Sequence, residues 1–160
     1  MTKPIHTHDA TVKGISLNQI AWLLPVTLLV HQLEEYIGEF PLWYSNLLNA
    51  QLSNQDFLVI NGIGLFAFTV FAWSYFVNKN KLVLASLGVL VFVNGILHLL
   101  LSIFTFTYSP GTISGVVLFI PLGIIIFKRI MPSLRDQEKI IAIASGILVL
   151  FTVSLIAFNI

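Results

Sequence analysis

Five apolar runs, at about residues 16–38, 57–77, 82–106, 113–130 and 138–159, leave this chain little choice of fold. Each is close to the roughly 20 residues that a helix needs to cross a bilayer core. The breaks between them, "GEFPLWYSN", "NKNK", "SPGT" and "KRIMPSLRDQ", are rich in turn formers and hold Pro41, Pro110 and Pro132. A missing N–H does little harm there. Only 9% of the 160 residues are charged and 57% are hydrophobic, against about 25% charged in a soluble domain. The expected class is therefore all-α, an integral membrane bundle of about five transmembrane helices. Residues 1–15 form a polar tail without the apolar core and cleavage site of a secretory signal, and residues 16–160 form one domain. There is no internal repeat or low-complexity tract. A net charge of +1 leaves no nucleic-acid footprint, and the absence of cysteine excludes disulfides and thiolate metal sites.

The basic residues set the expected orientation, because cytoplasmic loops carry an excess of Lys and Arg. Lys3 and Lys13 precede the first run, Lys79 and Lys81 lie in the second break, and Lys128, Arg129, Arg135 and Lys139 surround the fourth. All eight fall on one side of a five-span arrangement. This predicts a cell-membrane, multi-pass protein with its N-terminus cytoplasmic and its C-terminus outside. Trp43, Tyr44 and Tyr108 fall at the opposite boundary, where interfacial aromatics belong.

The first run also carries His31, Glu34 and Glu35, which helical geometry places within an arc of about 100°. Thr27 and Gly38 share that stripe. On the third run Asn94 and His98 are one turn apart, at a depth similar to that of His31, and Ser102 and Thr105 continue their face. Asp56 and Asn61 open the second run on the same outer side. One charge at a helix centre costs roughly 2.5–3.5 kcal/mol on insertion scales. These groups are tolerable if they face one another and share protons, hydrogen bonds or a metal. The fourth and fifth runs lack ionisable cores and read as packing elements, with Gly111 and Gly115 at small-xxx-small spacing.

The string His31-Gln32-Leu33-Glu34-Glu35 resembles the signature of the HXXEE family of small bacterial and archaeal membrane proteins. Asn94-Gly-Ile-Leu-His98 is similar to that family's N-x-x-x-H element, and Tyr108-Ser-Pro-Gly-Thr112 to its Y-x-P-G-T element. The three occur in the family's order, and the resemblance covers most of the chain. It implies the grouping and brings no mechanism.

The ionisable stripe has a bland reading, an interfacial helix end solvated by headgroups, but the helix remains apolar through Ile37. Two chemistries fit the functional one. His31, Glu34, Glu35 and His98 could ligate a divalent metal, since imidazole and carboxylate suit Zn, Fe or Mn. Alternatively, with no metal, a glutamate acts as acid and a neutral histidine or the second glutamate as base. Asn94 is either an interhelical hydrogen bond or an orienting group. Tyr108–Thr112 reads as a turn, with Tyr108 a further candidate donor to the site. Glu39, Asp56 and Asn61 read as rim or cap residues, and His6 and His8 as a tail feature on the other side.

The favoured expectation is an intramembrane enzyme in the lipid bilayer acting on a hydrophobic small molecule, such as an isoprenoid, sterol-like compound or acyl lipid. The reaction would be isomerisation or cyclisation by proton transfer, or metal-assisted chemistry with Zn or Fe. The catalytic set would be Glu34, Glu35, His31, His98, Asn94 and Tyr108. The rivals are a proton-coupled transporter, disfavoured by an inner half without polar groups, and a non-catalytic accessory protein. A homodimer could supply the symmetry that the small chain lacks.

Overall fold

A computed structural model describes residues 15–159, and every regular element among these described residues is helical. The first helix, α1 (Leu17–Ile37), opens on a capping box: the Ser16 hydroxyl accepts from the Gln19 N–H while the Gln19 side chain accepts from the Ser16 N–H. Three further long elements follow the apolar runs. They are α3 (Asn54–Asn78), α4 (Lys81–Thr105) and α7 (Asp136–Asn159). Ser53 and Asn80 cap α3 and α4 through their side-chain oxygens.

Two elements depart from the sequence expectation. The first break is not a loop, because Phe40–Leu48 forms a nine-residue helix, α2. Glu39, in the left-handed region at φ 57°, turns the chain, and Pro41 then sits in the first helical turn, where its missing N–H leaves nothing unpaired. The fourth run is composite. A single α turn, α5 (Thr112–Ser114), leads into a π turn, Gly115–Phe119, and then into α6 (Ile120–Ile130) and a 3-10 turn, Met131–Ser133. Pro121 can donate no N–H and crowds the carbonyl four residues before it. The widened turn lies just ahead of it, with the Ile120 N–H reaching back five residues to the Gly115 carbonyl.

Four helical stretches are long and apolar enough to cross a membrane: Asn54–Asn78, Lys81–Thr105, Thr112–Ser133 and Asp136–Asn159. These are compatible with a multi-pass membrane protein. The fifth expected span, α1, has 21 residues but is diluted by Asn18, Gln19, His31, Gln32, Glu34 and Glu35, and it does not join the four on composition. It is nonetheless packed in the bundle, against α3 and the start of the fourth run.

At the centre is α4, in contact with α3, α6, α7 and the π turn. Ile20, Leu24, Leu84, Val91, Phe119 and Ile126 fill the core. A smaller cluster, Leu52, Phe57 and Ala157 with Phe40, Tyr44 and Ile60, lies under α2. Large apolar side chains such as Ile63, Phe66, Leu148 and Phe151 point outward. The described basic residues gather at one end, where Arg129 donates to the Ile15 carbonyl and Lys79 to the Asn18 side chain. Lys3, His6, His8 and Lys13 lie outside the described residues.

Gly115 does serve close packing, but without Gly111. A Cβ on Gly95 would sit 2.7 Å from the Gly115 carbonyl oxygen, so α4 and the π turn touch backbone to backbone. Gly111 is placed elsewhere, in the turn above the site.

Candidate functional site

Helical periodicity puts His31 and Glu35 one turn apart on α1, both facing α4. His98 meets them from α4. The Glu35 Oε1 lies 3.5 Å from the His31 Nε2 and 3.3 Å from the His98 Nε2. The imidazole rings meet edge to face, with centroids 4.9 Å apart. All three side chains are buried at 2%, 7% and 5% exposure for His31, Glu35 and His98. The two imidazoles and the carboxylate that the sequence placed at one depth therefore converge on one point.

The turn from Tyr108 to Ser114 closes the other side. The Ser114 Oγ is 2.8 Å from the His31 Nδ1, and the Ser109 Oγ is 3.1 Å from the His98 Nδ1. Both serines are buried. The Ser114 hydroxyl also lies 3.4 Å from the Gly111 carbonyl. On the other edge of the ring, the His31 Nε2 faces Glu35. This Nε2 is buried and finds no hydrogen-bond partner. Between the serines, Gly111 has φ +99°, and a Cβ there would lie 2.8 Å from the His31 Cε1 and 2.9 Å from the His98 Cε1. Only glycine fits on both counts.

Glu34 points away from this group. Its Oε1 accepts from the Ile113 N–H at 2.9 Å and its Oε2 from the Ser114 N–H at 2.6 Å. It also accepts from the Tyr108 hydroxyl. Burial and the neighbouring carboxylate push that phenol, which lies in the turn between two spans, up to about 12. Glu34 and Tyr108 thus form a clip that fastens the turn to α1. Thr112 fastens it to α4, donating to the His98 carbonyl at 3.1 Å and lying 2.7 Å from the Ser102 hydroxyl. Asn94, one turn inward of His98, keeps a buried Oδ1 with no partner. Asp56 caps α3 with Ser53, and the Asn61 carbonyl accepts from the Gln32 side chain at 2.9 Å. Thr27 bonds its own helix, donating to the Leu24 carbonyl.

Sequence reasoning missed Ser109, Ser114 and the function of Gly111. The available signal was two serines flanking Pro110-Gly111-Thr112, but a short hydroxyl in a turn carries no periodicity.

The three converging residues carry the donor types of a divalent metal site. Donors arranged tetrahedrally around zinc at about 2.0–2.1 Å lie about 3.3–3.4 Å from one another; the Glu35 oxygen lies 3.3 and 3.5 Å from the two imidazole nitrogens. The three residues offer one ligand atom each, all within 4.8 Å of one another. Two histidines and one carboxylate are the donor set of three-ligand zinc enzymes and of non-haem iron oxygenases. Serine hydroxyls on both Nδ1 atoms provide the outer contacts that orient such ligands. Phe119 lies over His31 with centroids 4.3 Å apart, and Phe40 approaches His98 at 5.8 Å.

No curated protein and no solved structure matches the chain. The family model described as a protein of unknown function with HXXEE motif matches residues 22–126. The matched span holds α1 from residue 22 onward, α4 and the Tyr108–Ser114 turn, and so every side chain of the site. This chain is therefore a member of the HXXEE family.

Proposed function

We propose that this protein is a cell-membrane enzyme, N-terminus cytoplasmic and C-terminus outside, acting on a hydrophobic small molecule of isoprenoid, sterol-like or acyl type. In this reading His31, Glu35 and His98 hold a divalent ion, zinc or iron, in the outer half of the bilayer. The observation that carries it is the convergence of the buried His31 and His98 Nε2 atoms on one Glu35 oxygen, the former without a hydrogen-bond partner. A buried carboxylate facing two imidazole nitrogens is stabilised by a cation held between them. When bound, a divalent ion acts as a Lewis acid on a substrate oxygen or a water. The chain's own groups do the rest. Ser114 and Ser109 hold the rings in register, Phe119 and Phe40 keep water out, and the Asn94 Oδ1 is free to accept from a substrate hydroxyl. Glu34 acts at a remove, by holding the turn.

The cation could also be a proton shared by Glu35 and the imidazoles, which would make the site an acid–base isomerase or cyclase. Elemental analysis separates the two. Wild type, His98→Ala and Glu35→Gln, purified in detergent, should give about one zinc or iron per chain for wild type and a loss of at least tenfold in affinity for each variant with helicity retained. Metal absent from all three would overturn the metal reading and leave proton transfer.

A further inference from the structure

With all three site residues almost fully buried, a substrate reaches them only if a covering element moves. Two elements cover them. The Tyr108–Ser114 turn is fastened by Glu34 from α1 and by Ser102 and Thr112 against α4. The other cover, α2, is held more lightly. The Tyr44 hydroxyl donates to the Ser154 carbonyl at 3.2 Å and the Ser45 hydroxyl accepts from the Leu52 N–H at 3.1 Å; the remaining hold is apolar, Phe40 and Tyr44 packing on Leu52, Phe57 and Ala157 and Phe40 lying against His98. The helix is flanked by single left-handed residues, Glu39 at φ 57° and Asn49 at φ 53°. Leu42, Leu47 and Leu48 are exposed on its outer side, and with Trp43 and Tyr44 they form the kind of surface that rests at a membrane interface.

The charge distribution narrows what could enter. Every described Lys and Arg belongs to the opposite end of the bundle, around the α3–α4 and α6–α7 breaks. A phosphate or sulfate headgroup at the site would find no described cationic side chain to pair with. Three protein donors leave a position open for one oxygen ligand. Gly111 lies against both imidazoles, Phe119 over His31 and Phe40 beside His98, so a head that reaches the rings must be small.

We propose that α2 is a lid lying at the membrane surface, that Phe40 is its plug over His98, and that it admits a single-chain amphiphile. The head of this substrate is a hydroxyl, carbonyl or carboxylate that reaches the point between His31, Glu35 and His98. Its tail lies along Phe40, Phe57 and Ile60 toward lipid. The proposal rests on the metal reading above, and its test keeps the two apart.

The probes are dodecyl hydroxamate and dodecyl phosphate, with one tail and two heads, titrated into cobalt-loaded full-length protein in nanodiscs of neutral phospholipid. The cobalt visible bands report the ligand. Hydroxamate should shift the bands at about tenfold lower mole fraction than phosphate. Phe40→Ala should raise the hydroxamate association rate about fivefold or more at unchanged cobalt stoichiometry. Tyr44→Phe, which removes only the latch and retains the ring, should raise it in the same direction and guards against a folding defect in the first variant. Cobalt bound with equal response to both heads, or with association rates that neither substitution changes, would overturn the lid and its substrate class alone. No cobalt bound to wild type would overturn the metal centre and this proposal with it.

Discussion

Glu34 and Glu35 are neighbours in sequence, and on a helix neighbours point about 100° apart. That rotation gives them different work: Glu35 faces the two imidazoles, while Glu34 receives the Ile113 and Ser114 amides and the Tyr108 hydroxyl. Glu34→Gln should therefore keep the metal content of wild type and lower the thermal unfolding midpoint, since hydrogen bonds to a charged acceptor are worth about 1.5–3 kcal/mol. Elemental analysis beside a melting curve reads both. Loss of metal equal to that in Glu35→Gln would make Glu34 a ligand instead. The meeting of His31, Glu35 and His98 was legible in the sequence because spacing and depth are both periodic quantities. The separation of the two glutamates was not, because an arc of about 100° counts both as one face until a partner occupies only half of it. Ser109 and Ser114 were illegible for another reason. Their role depends on how a turn folds back in space, and spacing along the chain carries no trace of that.

Among the elements, the long helices follow the apolar runs to within a few residues, with α1 at Leu17–Ile37 against an expected 16–38 and α4 at Lys81–Thr105 against 82–106. Breaks made of turn formers and caps such as Ser16, Ser53 and Asn80 are local signals, and local signals survive folding. Two features escaped. The segment Phe40–Leu48 is apolar, aromatic and opened by a proline, so it carried the marks of a break and of a helix at once. The π turn depends on Pro121 together with the backbone approach of Gly115 to Gly95, and only the first is visible in one dimension. This approach yields a sharp contrast between two glycines. Gly95→Val should cost about 1–3 kcal/mol by overpacking and displace Ser114 from His31, weakening metal retention in a chelator-challenge assay. Gly62→Ala, with nothing within 4 Å of its added Cβ, should leave both stability and retention unchanged.

At the scale of the whole molecule, polarity is sorted along the bundle axis. The described cations lie at one end, and the buried histidines and glutamate lie near the other, beneath α2 and the Tyr108–Ser114 turn. Charge sorting of this kind is the basis of the proposed orientation. The chain contains no cysteine, so single thiols can be introduced on a clean background. With a membrane-impermeant maleimide applied to intact cells, Asn46→Cys should label and Lys81→Cys should label only after permeabilisation. The reverse pattern would overturn the proposed topology. Composition alone supports four crossings. The fifth helix expected from the apolar run at 16–38 is present as α1, but it falls short of the other four in composition because it carries the ionisable and amide residues that the bundle uses.

The centre is assembled from stretches of chain far apart in order of synthesis: α1 supplies His31 and Glu35, α4 supplies His98, and the turn ending at Ser114 supplies both hydroxyls and the glycine that seats the rings. In a nascent chain the ionisable groups of α1 therefore stay unmatched until about eighty more residues have emerged, given the separation of 83 between His31 and Ser114. Biogenesis of this protein then has a natural checkpoint. Chains truncated before Ser114 should be recognised by membrane quality control as incomplete, whereas loss of α7, which lies beyond the family-matched span, removes no residue of the centre.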